Sequence, residues 1–229
     1  MTGTQLRMGR ERKGWDQAVA APRLGVSQPY LSLLETGRRR VPEELARKAA
    51  RVYGLSAATL PLEASWERLK PADEALLAAE LASLEYPRLS YLKPRRGRNP
   101  AEILMSALAA SDLDSRLVEA LPWVAWRFPE MDWRWLVGAA KLNDLQNRLG
   151  FVTSVARRLA ERQGDAGTAT LLGEKESVLE RGRLAREDTL CHDSLTDAER
   201  RWLRAHRPEE AKHWGLLTDL SPEHLDYAA

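Results

Sequence analysis

Apolar residues recur along most of this chain at spacings of three and four, the period that turns one face of an α-helix inward. Thr4 to Lys13 has that spacing, with Leu6 and Met8 toward a core and Gly14 as the stop. Asp16 caps a second predicted helix, Gln17–Arg23, and Gly25 opens a turn. The next stretch, GVSQPYLSLLETGRRR at residues 25–40, contains a short helix with well-marked ends. Ser27 suits the N-cap, because its hydroxyl takes an orphan N–H of the first turn. Pro29 loses nothing in that turn, where its missing N–H would have no intrahelical partner. Gly37 suits the left-handed stop. Leu31 and Leu34 share the inward side, with Gln28, Ser32 and Thr36 on the other. That outer side is small, polar and uncharged where a surface helix ordinarily carries charge, which suits it to being read closely by another molecule. Pro42 starts a further helix with the stripe Leu45, Ala49 and Val52, ended by Gly54.

Downstream, Pro61 and Pro71 punctuate a connection before a predicted helix from Ala72 to Leu84. YPRLSYLKPRRGRNP, residues 86–100, then reads as a linker, with three prolines, a glycine and a run of basic residues. Helical periodicity resumes in PAEILMSALAAS and SRLVEALPWVAWRF. Asp132 caps a long predicted helix whose seam is Leu142, Leu145, Leu149, Val152, Ala156 and Leu159. QGDAGT turns the chain, Thr170–Asp188 reads as a return helix, and Thr196 with Glu199 forms a capping box for another. The expected fold class is all-α, since β-branched residues are too sparse for sheets: Ile occurs once in 229 residues, at position 103.

Charge divides the chain. Residues 1–54 hold eleven Lys/Arg against five Asp/Glu, while the whole carries only +2, so the remainder is mildly acidic. A basic first quarter suits a polyanion-binding module attached to something else. No apolar run approaches the length of a membrane span and the polar start is unlike a signal peptide, so the expectation is a cytoplasmic protein without membrane association. Cys191 is the single cysteine, which excludes an internal disulfide and a cysteine metal cluster.

The segment WDQAVAAPRLGVSQPYLSLLETGRRRVPEELARKAARVYGLS resembles the helix-turn-helix domains of the Cro/lambda-repressor (XRE) type, over about residues 4–60. The resemblance rests on Gln17 just past its cap, Leu24-Gly25-Val26-Ser27, Tyr30-Leu31-Ser32, Glu35 and Gly37. It implies that residues 27–35 are a recognition helix in the DNA major groove, its N-terminal end toward the bases. Ser27, Gln28, Pro29 and Ser32 then face DNA, with Gln28 the leading reader because its amide can donate to and accept from adenine together. The resemblance further implies that Gln17 bonds phosphate and braces Gln28, that Arg38, Arg39 and Arg40 meet the backbone, and that Arg10 and Glu35 form a structural ion bridge. Two positions depart from the pattern. Pro22 falls inside the second helix, which is expected to kink or shorten it. Leu33 stands where relatives commonly expose a polar or basic residue.

The resulting division is a helix-turn-helix domain at 1–62, a helix and basic Pro-rich linker at 63–100, and a larger helical domain at 101–229. The linker reads either as an exposed loop or as an arm touching DNA. The tryptophans of LPWVAWRFPEMDWRWL, Trp123, Trp126, Trp133 and Trp135, are either core or a partner-binding surface. DWRWLVGAAKLNDLQNRLGFVTSVARRLA resembles a segment of regulators encoded beside nucleotidyltransferase-like toxins. Catalysis is not expected: there is no phosphate-binding glycine loop and no His-Glu-x-x-His helix, and Cys191-His192-Asp193 are neighbours in sequence that do not converge on one point. No cofactor or metal is expected. The function expected is a dimeric transcriptional repressor on a palindromic operator, in its specific form an autorepressing antitoxin that binds a toxin through its C-terminal domain. A ligand-sensing repressor and a protein–protein adaptor are the alternatives.

Overall fold

The computed structural model describes residues 1–62, 69–93, 97–225 and 227. Among them lie twelve α-helices and one two-residue strand pair, so the fold is all-α. The chain divides into two compact units, Met1–Glu63 and Ala64–Ala229.

The first unit holds α1 (Gly3–Arg12), α2 (Gln17–Leu24), α3 (Gln28–Glu35) and α4 (Glu43–Tyr53). Each boundary has a local cause. Thr2 and Gln5 form a capping box on α1, and Asp16 Oδ1 accepts from Val19 N at the start of α2. Gly25 ends α2 in the left-handed region at φ 74°, where a Cβ would be strained. Leu6, Ala20, Leu31, Leu34, Ala46 and Ala49 are fully buried between the helices. Alanines at 20, 21, 46 and 49 let the backbones approach. Met8, expected in the core, is 48 % exposed instead. Gly9 and Arg10, one and two positions further on, carry the buried side of α1 there. Pro22 does not shorten α2, which continues to Leu24.

The second unit is built around α9 (Gln146–Arg162), buried without a break from Gln146 to Ala156. It packs against α7 (Ser115–Arg127) and α10 (Ala166–Glu180) and, over shorter lengths, against α6 (Pro100–Leu108), α8 (Trp133–Leu142) and α12 (Glu209–His213). The remaining helices are α5 (Glu74–Ser83) and α11 (Asp197–His206), with β1 (Asp188–Thr189) and β2 (Leu216–Leu217) paired in parallel. The seam expected along one long helix is interrupted. Asp144 takes a left-handed φ of 56° between α8 and α9, so Leu142 turns outward, 61 % exposed, while Leu145 onward stays buried. The return helix is α10 and ends at Glu180, before Gly182, instead of reaching Asp188.

The stretch expected as linker is largely part of this second unit. Leu77 and Leu81 of α5 are fully buried, and Tyr86 and Leu89 are buried after it. Ala72 N donates to Ser106 O, and Arg98 donates to the Ser106 hydroxyl at 2.6 Å. Tyr86 also packs edge-on against Trp123. Proline content marked a stop in regular structure there, and apolar burial holds the chain down all the same. The basic centre of that stretch, residues 94–96, lies outside the described residues.

Polar residues inside α9 tie the later chain to it. Asn147 donates to Leu184 O and accepts from Leu184 N, pairing its amide with a backbone. Arg148 reaches Asp188 through two hydrogen bonds of 3.0 Å, the carbonyls of Leu108 and Ala110, and Asp193 at 3.2 Å. Gly150 leaves room for the ring of Trp214, whose Nε1 donates to Ser154 Oγ at 2.7 Å.

Candidate nucleic-acid interface

The interface is built from α2, the turn at Gly25, α3 and the loop after it. Ser27 Oγ accepts from Tyr30 N and fixes the first turn of α3, with Pro29 inside it. Leu31, Leu34 and Glu35 face inward. Gln28 and Pro29 are exposed, Ser32 and Leu33 are partly exposed, and Thr36 is exposed at the far end. Thr36 Oγ1 donates to Ser32 O at 2.8 Å, and Arg39 N closes the end on Leu33 O. Arg38, Arg39 and Arg40 follow, all exposed, with the Arg39 guanidinium 5.9 Å from the Tyr30 ring centre.

The helix is held at one end by a carboxylate. Glu35, whose side chain is 2 % exposed, accepts from Arg10 Nε at 2.7 Å and from Arg10 Nη2 at 2.9 Å. Arg10 Nη1 also donates to Trp15 O at 2.7 Å. Gln17 Nε2 donates to the same carboxylate at 2.9 Å. One charge therefore joins α1, α2 and α3. The bidentate hydrogen bond holds the Arg10 guanidinium above its ordinary pKa although burial works against it.

The structure places Gln17, Ser27, Gln28, Pro29, Ser32 and Arg38–Arg40 in one compact unit, at the start of α2 and along α3 and its exit loop. It differs from expectation over the brace. Gln17 is tied to Glu35 at the end of α3 and not to Gln28 at its start. The reason is electrostatic: the carboxylate accepts only, and an amide N–H answers it better than a second amide does. One N–H of the Gln17 amide remains for another acceptor. Thr36 lies on the outer side expected of it, one turn after Ser32.

Of the four tryptophans between residues 121 and 136, three lie in the core and not on a partner surface. Trp123, Trp133 and Trp135 are buried, with relative exposures of 4, 8 and 5 %. Trp133 Nε1 donates to Pro129 O, and Trp123 packs against Tyr86 and Phe128. These three rings fill the core. Trp126 is partly exposed and stacks on Tyr227. Among the described residues no group of three His, Cys, Asp or Glu side chains is arranged to hold a metal ion. No helix there is long and apolar enough to cross a membrane.

Residues 3–62 match the family model of a helix-turn-helix domain. The first unit is therefore a helix-turn-helix domain, with α2 and α3 as its two eponymous helices. Neither the curated proteins nor the solved structures yielded a match to the chain.

Proposed function

We propose that this protein is a sequence-specific DNA-binding transcriptional regulator that lays α3 in the major groove and binds a palindromic operator as a homodimer. The observation that carries the reading is the outer face of α3. It is free of charge, ends in three exposed arginines, and is clamped to its neighbours through Glu35. Uncharged polar side chains suit base edges, and arginines suit phosphates. Gln28 is assigned to adenine and Arg38–Arg40 to the backbone. Titration of the full chain on a selected operator and on a scrambled duplex tests it. Gln28→Ala should cost about 1–3 kcal/mol on the operator alone. Replacing any of Arg38–Arg40 should weaken both duplexes and flatten the salt dependence, by about one unit of slope for each lost phosphate contact. Equal losses on both duplexes for Gln28→Ala would remove it from base reading.

The finer reading is an autorepressing antitoxin, in which residues 64–229 bind a toxin and carry out no chemistry. Its support is the resemblance of residues 132–160 to a segment of regulators encoded beside nucleotidyltransferase-like toxins. Co-expression with the neighbouring gene, followed by purification through a tag, tests it. A chain that recruits no neighbour-encoded protein, yet leaves DNA on addition of a metabolite, would replace the antitoxin with a ligand sensor.

A further inference from the structure

The outer face of α3 is not uniformly polar. At 3.6 residues per turn, the line opposite the buried Leu31 and Leu34 runs between positions 29 and 33. Pro29 and Leu33 occupy it, the first exposed and the second partly so. Gln28 and Ser32 lie to one side of that line, and Thr36 continues it. The first two residues on that line are thus apolar, and Thr36, the third, is polar. Neither Pro29 nor Leu33 can donate or accept through its side chain, and Pro29 has no backbone N–H either.

Opposite an N7, O6, O4 or amino group, such a strip would strip water from a polar edge and return no hydrogen bond, which is costly. The major groove offers one apolar group, the 5-methyl of thymine. Positions four apart on a helix are separated by about 6 Å along its axis. Stacked base pairs are about 3.4 Å apart, so the two side chains stand about two base-pair steps apart along the groove.

We propose that Pro29 and Leu33 form an apolar strip that selects two thymines, two base-pair steps apart, by their 5-methyl groups, beside the adenine assigned to Gln28. The inference rests on α3 being the base-reading helix and names what that helix reads.

The test begins with selection of duplexes from a random pool by the full-length protein. Each thymine of the selected half-site is then replaced in turn by deoxyuridine, which lacks only the methyl. Replacements at two positions, two steps apart, should each weaken binding roughly fourfold, the effect of one methyl withdrawn from an apolar contact. In Leu33→Ala one of those two positions should become indifferent to the replacement. Pro29→Ala should do the same at the other, and its exposed site in a first turn leaves the fold intact. Deoxyuridine tolerated within twofold at every position would overturn the proposal while leaving sequence-specific binding in place. A pool from which no sequence emerges would instead overturn the reading of α3 as a base reader, and the strip with it.

Discussion

Glu35 and Gly150 show how single residues hold the two units. Removing the Glu35 carboxylate leaves the Arg10 guanidinium, its side chain 10 % exposed, with Trp15 O at 2.7 Å and the more exposed Glu11 carboxylate at 3.6 Å. Breaking one side of a buried pair costs about 3–5 kcal/mol, so Glu35→Ala should destabilise the helix-turn-helix domain on that scale in urea titrations. Gln17→Ala should cost only about 1 kcal/mol, one hydrogen bond to a charge that Arg10 still satisfies. At Gly150 a Cβ would lie 2.3 Å from Cζ3 of Trp214, a fully buried ring. Alanine gains about 1 kcal/mol in helix propensity, yet the ring has to move and give up its bond to Ser154. Gly150→Ala should therefore lower stability by about 1–3 kcal/mol, read as a shift of the denaturation midpoint. Sequence alone presents Gly150 as a mild defect in a helix. Only the position of Trp214, sixty-four residues later, makes it a requirement.

At the level of elements, capping chemistry was legible and breaks were less so. Asp16, Ser27 and Thr196 each cap the helix expected of them, because a cap depends on residues within three positions. The break between α8 and α9 carries no proline or glycine. Asn143, Asp144 and Leu145 make it, with Asp144 left-handed, and what stabilises it is the burial of Trp135 and Leu136 on one side and Leu149 on the other. Asp tolerates that conformation at a cost that glycine avoids. Asp144→Gly is thus expected to raise stability by up to about 1 kcal/mol in thermal or urea unfolding, against a small loss from its exposed contact with Arg186. The tryptophan-rich stretch left two readings open for a related reason: a run of large rings has the same composition whether it covers a core or a partner.

For the whole molecule, the division at residue 63 predicts that the first unit is autonomous. A fragment of residues 1–63 should give a helical circular dichroism spectrum and, on the homodimer proposed above, bind DNA more weakly than the full chain, since it lacks a second monomer's contacts. A fragment that is unfolded in water would refute that autonomy. Cys191 reports on the other unit. It is buried and its Sγ donates to Ala107 O, and burial pushes its thiol up to about 12. At pH 8 a thiol reagent should leave the folded chain unmodified and label it on unfolding, where the thiol has an ordinary pKa of about 8.5. Between that value and about 12 the native state keeps a proton that the unfolded chain has lost. Stability of the second unit should accordingly fall as pH rises through this window.

The all-α class, the helix caps of the first unit and the outward Gln28–Ser32 face follow from the sequence, because each depends on residues a few positions apart. The Arg10–Glu35 bridge was legible only through a family resemblance, since twenty-five residues separate its partners. What the tertiary structure decided is where distant groups meet. Asn147 and Arg148 stand in a helix whose pattern explains Leu149 and Val152, and nothing local shows that they will clasp Leu184, Asp188 and Asp193. Residues 86–93 and 97–100 read as a linker by their prolines, and the fold instead buries Tyr86, Leu89 and Asn99. Local rules count neighbours along the chain, whereas burial depends on which apolar surfaces find one another in space. Leu33 belongs to both: helical spacing from Leu31 and Leu34 already sets it on the outer side, and the packing of those two residues leaves it partly exposed there.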